Sequence, residues 1–136
     1  MNEQEIKQAI QKTVIALAKD PKNPDHYHEL AKYYAMSEEY EKVISIYDSL
    51  LAFQPNDIDA LLNVGSILFY EKEYKKALKF FEQAMSVNPS NYLVYYNLAN
   101  TYAEMKNFSK ALRWYNRTLD FVSTDPEIYN SIALLY

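Results

Sequence analysis

The chain has 136 residues, a net charge of −4 and a sequence pI of about 5.2, and this acidity argues against nucleic-acid binding, which usually needs a basic surface. It has no cysteine, which excludes disulfides and thiolate zinc sites. A single glycine, Gly65, excludes glycine-rich phosphate loops and disfavours tight β-hairpins, so the composition favours an all-helical protein.

The first predicted helix runs from about Ile6 to Lys19, with apolar residues at helical spacing. The N-terminal stretch carries acidic residues early and contains no long apolar run. We therefore expect neither a signal peptide nor a membrane span, and we predict a cytoplasmic protein without a membrane partner.

Three later stretches repeat one pattern, in which a helix is followed by a polar or proline-containing end. They read EYEKVISIYDSLLAFQPND, EYKKALKFFEQAMSVNPSN and NFSKALRWYNRTLDFVSTD, and begin at residues 39, 73 and 107. Pro21, Pro55 and Pro89 share the same spacing of 34 residues. Further lines at this period are Leu30, Val64, Leu98 and Ile132; Ala31, Gly65, Ala99 and Ala133; and Tyr34, Leu68, Tyr102 and Tyr136.

Each period predicts two amphipathic helices joined by a short polar turn. In the middle unit, Leu61, Val64 and Leu68 occupy positions i, i+3 and i+7 of the first helix. Proline ends the second helix, and Asp57 or Asn91 stands where it can cap the next one. The small residues Gly65 and Ala77 predict a close crossing of the two helices. One unit cannot bury its apolar face alone, but a stack of units can.

The pattern resembles the tetratricopeptide repeat, W-x2-L-G-x2-Y followed by A-x3-F, A and P. The middle unit matches through Leu61, Val64, Gly65, Leu68, Ala77, Phe81, Ala84 and Pro89, the first through Tyr27, Leu30, Ala31, Tyr34, Tyr47 and Pro55, and the third through Tyr95, Leu98, Ala99, Tyr102, Ala111 and Tyr115. In the first unit Val43 and Leu50 replace the usual alanines, and in the third Ser123 replaces proline while Pro126 suits the first turn of the last helix. The resemblance implies an all-α, right-handed solenoid of antiparallel helix pairs.

We predict one repeat domain over residues 1–136. It consists of a half repeat at 2–23 with only a second helix, repeats at 24–57, 58–91 and 92–125, and the first helix of a truncated fourth repeat at 126–136.

In the tetratricopeptide family the first helix of each repeat lines a concave groove, so the resemblance predicts where a partner would bind. The predicted function is a non-enzymatic scaffold that holds a peptide or helix of a partner protein. Asn63 and Asn97 lie 34 residues apart, and an asparagine amide can both donate to and accept from one peptide bond. Scattered exposed aromatic residues without a binding role are the alternative interpretation. The predicted groove residues are His28, Lys32, Leu62, Asn63, Ser66, Phe69, Tyr70, Tyr96, Asn97, Asn100 and Asn130.

No motif in the chain predicts catalysis, a cofactor or a metal site. The two histidines, His26 and His28, are spaced i, i+2 and would point to different sides of a helix, whereas helical metal ligands usually pair at i, i+4. Some family members bind the C-terminal carboxylate of a partner through basic residues. The equivalent positions of the repeat are occupied here by His28, Leu93 and Asn97. We therefore do not expect that mode of binding.

Two alternatives remain open from the sequence. The incomplete terminal repeats could associate head-to-tail with another copy, through Ile132, Leu135 and Tyr136. A catalytic domain could also lie elsewhere in a longer chain.

Overall fold

A computed structural model describes residues 1–121 and 126–135; the predictions that involve Ser123 and Tyr136 fall outside these ranges. Within them the chain forms eight α-helices and no strand, as the all-helical prediction requires. The helices are α1 (Glu3–Lys19), α2 (Pro24–Met36), α3 (Tyr40–Leu51), α4 (Ile58–Tyr70), α5 (Tyr74–Val87), α6 (Tyr92–Glu104), α7 (Phe108–Leu119) and α8 (Pro126–Ala133).

Asparagine and aspartate side chains begin several helices. Asn91 Oδ1 accepts a hydrogen bond from the Leu93 amide at 3.1 Å, and Asp57 Oδ1 accepts one from the Ala60 amide at 3.1 Å. These bonds satisfy amides that have no partner within the first turn of a helix. The capping roles predicted for Asp57 and Asn91 are confirmed, and Pro126 begins α8 as predicted.

The turns inside the three helix pairs share one backbone geometry. Glu38, Lys72 and Lys106 have φ values of 59°, 64° and 63°, in the left-handed region. The amide that follows each of them bonds back to a carbonyl in the last turn of the preceding helix, which closes that helix end. These bonds run from Glu39 to Tyr34 (2.9 Å), from Glu73 to Leu68 (2.8 Å) and from Asn107 to Tyr102 (2.9 Å).

Contacts divide the chain into two compact units, Met1–Ala60 and Leu61–Tyr136. In the first unit α1 packs on α2 and α2 packs on α3. The buried side chains of α2 and α3 are Leu30, Ala31, Val43, Tyr47 and Leu50, so the valine and leucine that replace alanine at positions 43 and 50 lie inside the core.

In the second unit α5 packs on α6, α6 on α7, and α7 on α8. Gly65 of α4 is buried. The sequence predicts that it approaches Ala77, but the side chain that lies nearest to it is the ring of Phe81 in α5. Further along, a cluster of buried residues forms between α6 and α7. Its members are Ala99, Ala111 and Tyr115, with Tyr96, Tyr102, Ala103, Trp114, Ile132 and Leu135 packed around them.

Candidate functional site

A pocket in the second unit brings together residues from three helices, and we call it the α4–α6 pocket. It has about 70 Å³ of accessible space and opens to solvent. Five of its six lining residues are among those predicted for the groove, and the sixth is Phe81, which the sequence pattern assigns to the core. The lining consists of Ser66, Phe69 and Tyr70 from α4, Phe81 from α5, and Asn97 and Asn100 from α6.

Aromatic rings form one side of the α4–α6 pocket. The ring of Phe69 meets that of Tyr70 edge-on at a centroid distance of 5.5 Å, and it meets Tyr74 of α5 at 5.6 Å. Tyr70 is 82% exposed, which is unusual for so large a side chain. Its ring is thus available to an incoming partner while Phe69 supports it from the side.

Amide groups form the polar side of the pocket. The phenol of Tyr115, a buried residue of α7, donates a hydrogen bond to Oδ1 of Asn100. Burial raises the pKa of Tyr115 to about 12, with smaller contributions from Tyr96 and Glu104, so the phenol keeps its proton at neutral pH. Asn97 lies one turn earlier on α6, where its backbone carbonyl accepts from the Thr101 hydroxyl at 2.7 Å.

Tyr96 contacts α8. Its hydroxyl donates to the Glu127 carboxylate at 3.2 Å and lies 3.4 Å from the Ser131 hydroxyl. Its ring stands 6.0 Å from that of Tyr115. The sequence predicts Tyr96 as a groove residue; in the structure its polar end holds α8 against α6.

The other predicted groove residues of the second unit lie outside the pocket lining. Leu62 is half-buried and Asn63 exposed on α4, and Asn130 is exposed on α8. The pocket therefore contains one of the two asparagines that share the 34-residue phase, together with Asn100, which the phase argument did not single out as a ladder member.

The predicted groove residues of the first unit, His28 and Lys32, have neighbours of their own. His28 Nε2 lies 2.7 Å from Oδ2 of Asp57, the carboxylate that also caps α4, and its ring is 5.5 Å from that of Tyr47. Lys32 is exposed, with its ammonium 5.0 Å above the Tyr33 ring. Asp57 thus links a helix cap to a predicted groove residue, a connection that no spacing rule reveals.

Of the three residues predicted for self-association, Tyr136 lies outside the described residues and the other two pack within the chain; the exposed apolar residues of this segment, Leu134 and Tyr129, are not among those predicted. Ile132 and Leu135 are partly buried against the Ala99–Ala111–Tyr115 cluster of their own chain. Leu134 is 87% exposed and Tyr129 is 49% exposed. Within the described part of α8 and the turn after it, the apolar surface open to a partner is therefore that of Leu134 and Tyr129.

Residues 1–121 and 126–135 contain no group of three or more histidine, cysteine, aspartate or glutamate side chains placed to hold a metal ion. Over the same ranges, the helices are too short or too polar to cross a membrane.

Comparison with known families identifies the repeat. The family model described as tetratricopeptide repeat matches residues 68–135, which is half of the chain. The chain belongs to the tetratricopeptide repeat family. Among curated proteins, sequence comparison found no match.

Solved structures of tetratricopeptide type share the fold. A crystal structure of MamA is 24% identical, with a TM-score of 0.88 over 98% of this chain and 78% of that one. MamA from Desulfovibrio magneticus RS-1 is 18% identical, with a TM-score of 0.87 over 96% of this chain and 73% of that one. A tetratricopeptide repeat protein from Parabacteroides merdae is 23% identical, with a TM-score of 0.84 over 98% of this chain and 52% of that one.

These comparisons confirm the family and the all-α fold of helix pairs that the repeat pattern predicts. Family membership also supports the general function predicted from the sequence, that of a protein-interaction scaffold. At these sequence identities, the solved structures support the fold alone.

Proposed function

We propose that this tetratricopeptide repeat chain is a non-enzymatic scaffold that holds a peptide or helix of a partner protein at the α4–α6 pocket. The observation that carries the proposal is the convergence of Tyr70, Phe69, Asn97 and Asn100 from two helices on one open concavity. These positions lie on the first helices of consecutive repeats, where the family resemblance predicts partner contacts.

The dimensions of the pocket suit one side chain of a longer ligand. The pocket has about 70 Å³ of accessible space, far below the roughly 300–1,000 Å³ of small-molecule sites, and it is open, whereas such sites enclose most of their ligand. A peptide residue could place its side chain on Phe69 and Tyr70 while its backbone reaches the amide of Asn97. That amide can both donate and accept, so it can pair with a peptide group in an extended chain.

The proposal can be tested with a library of short random peptides displayed for selection on the immobilised protein. A selected peptide is then titrated into ¹⁵N-labelled protein, and changes in amide chemical shift are followed by NMR. We expect the side-chain amides of Asn97 and Asn100 to shift together with the backbone near Phe69 and Tyr70. Shifts confined to helices other than α4, α5 and α6 would contradict the proposal.

Self-assembly is the second candidate function, and the exposure of Leu134 favours it. Leu134 is 87% exposed and Tyr129 on the same segment is 49% exposed, so both offer apolar surface to a second copy. In the first unit Ile15 of α1 is 57% exposed and offers apolar surface to a second copy. A contact between these two different surfaces would be head-to-tail, so it would form a ring or a filament.

A further inference from the structure

Asn100 differs from Asn97 in how its amide is already engaged. The Tyr115 phenol donates to Oδ1 of Asn100, which occupies the acceptor end of that amide. The Nδ2 group, with its two donor hydrogens, is the end that remains for a ligand. Asn100 lines the α4–α6 pocket, so its engagement determines which hydrogen-bonding role this residue presents there, beside an Asn97 amide that can both donate and accept.

Burial fixes the Tyr115 side chain, so the hydrogen bond from its phenol to Oδ1 of Asn100 is stable. The residue is 3% exposed, and it belongs to the cluster formed with Ala99 and Ala111. Another side chain in hydrogen-bonding contact with the phenol is Ser131 of α8, and leaving the phenol proton unpaired would be costly. Because Tyr115 is protonated at neutral pH, it acts toward Asn100 as a donor.

We propose that Tyr115 is a positioning residue that makes Asn100 a hydrogen-bond donor, so that Asn100 selects, within the α4–α6 pocket, a carbonyl group carried beside an apolar side chain. The proposal rests on the proposed function, since it names the chemistry of the ligand at that site. Phe69, Tyr70 and Phe81 supply the apolar contact, and Asn100 Nδ2 supplies the donor. A ligand group that can only donate, such as an ammonium, finds no acceptor at Asn100.

Three small probes with similar alkyl groups test this selectivity. N-acetyl-leucine N-methylamide carries a backbone carbonyl, isocaproamide carries a carboxamide of the side-chain type, and isohexylammonium is a donor only. Each is titrated into ¹⁵N-labelled protein, and affinity is read from the side-chain amide resonances of Asn100. We expect both amides to bind more tightly than the ammonium, by roughly two- to tenfold, the range of one neutral hydrogen bond. The tighter of the two amides identifies the source of the carbonyl.

The variant Tyr115→Phe removes the phenol and keeps the ring. Asn100 can then turn either end of its amide to the pocket, so the ratio of amide to ammonium affinity should fall toward one. Tyr47→Phe is the matched control, because Tyr47 occupies the same phase in the first repeat and is also buried. It should keep the wild-type ratio. Glu104, whose charge reaches Tyr115, attracts the ammonium in the wild type and in the variant alike. Comparing the affinity ratio between the two proteins therefore cancels this attraction.

The outcomes separate this inference from the proposed function. A ratio in Tyr115→Phe equal to that of the wild type overturns the positioning role, and so does a wild-type preference for the ammonium. If Tyr70→Ala nevertheless weakens binding of a selected peptide, the pocket remains a peptide site and only the selectivity argument fails. If no probe shifts the Asn100 resonances up to its solubility limit, the inference is overturned. A selected peptide that ignores Tyr70→Ala overturns the proposed function as well.

Discussion

A Cβ atom placed on Gly65 would lie 2.6 Å from Cε1 of the Phe81 ring, closer than carbon atoms approach without a shift of one of them. Phe81 is 2% exposed, so its neighbours restrict how far the ring can move. The one glycine of the chain therefore marks the place where α5 packs an aromatic ring directly on the backbone of α4.

The first prediction is that Gly65→Ala lowers the free energy of unfolding by about 1 kcal/mol. Overpacking typically costs roughly 1–3 kcal/mol, while removing a glycine from a helix returns about 0.5–1 kcal/mol. Gly65→Leu should be more destabilising still. Chemical denaturation measures both variants. In a Phe81→Leu background the alanine substitution should cost less, because the ring that it meets is gone. An equal or higher stability of Gly65→Ala in the wild-type background would show that the contact is not tight.

The second prediction concerns Lys72, which has a φ of 64° in the turn between α4 and α5. A residue with a side chain in this region is strained by roughly 1–2 kcal/mol, and glycine is not. Lys72→Gly should therefore raise the free energy of unfolding by about 1 kcal/mol, measured by urea denaturation. The matched control is Lys79→Gly in the interior of α5, which should lower it by about 1 kcal/mol. A loss of stability in both variants would contradict the turn geometry.

The third prediction follows from the pKa of Tyr115, which burial raises from its ordinary value of 10.0 to about 12. The folded protein then holds this proton more tightly than the unfolded chain does. The stability associated with it is fully present below about pH 10 and is lost as the pH rises from about 10 through about 12. Urea midpoints should fall with pH over this range more steeply in the wild type than in Tyr115→Phe. Tyr129→Phe, which alters an exposed phenol, should follow the wild type. Parallel curves for the wild type and Tyr115→Phe would rule the shift out.

The fourth prediction tests self-assembly. If Leu134 contacts another copy, light scattering should detect species larger than a monomer at high concentration, and Leu134→Lys should reduce them. Asn116→Lys is the control, because Asn116 is exposed on α7 and the change adds the same charge. Leu135, which the sequence predicts for this surface in place of Leu134, is a poorer site for the test, since it packs within the chain. A wild-type chain that stays monomeric at millimolar concentration would remove this candidate function.

The repeat phase predicted much of what the structure contains. It identified the helix pairs, the caps at Asp57 and Asn91, and five of the six residues that line the α4–α6 pocket. It succeeded because a 34-residue period fixes which face of each helix meets its neighbours, and the remaining face must line a surface.

Phase alone could not predict the direction of individual side chains. Leu134 and Leu135 are adjacent and chemically identical, yet one is exposed and the other packs on the cluster around Tyr115. The hydrogen bond between Tyr115 and Asn100 joins residues 15 positions apart on two helices, so it depends on how those helices cross. Likewise, nothing in the spacing assigns Phe81 to both the Gly65 contact and the pocket wall.

The most direct test of the proposed function is the affinity of a selected peptide, measured by isothermal titration calorimetry against variants with unchanged melting temperature. Tyr70→Ala should weaken binding by about 2 kcal/mol or more if the ring anchors the peptide, and Asn97→Ala by about 1 kcal/mol. Asn63→Ala distinguishes binding at the pocket from binding by a ladder of asparagines. Because Asn63 lies outside the pocket lining, binding at the pocket predicts wild-type affinity for this variant, whereas a ladder predicts weaker binding. Tyr92→Ala, an exposed tyrosine at the start of α6, serves as the control and should bind like the wild type. Wild-type affinity in both Tyr70→Ala and Asn97→Ala would contradict the assignment of the α4–α6 pocket as the binding site.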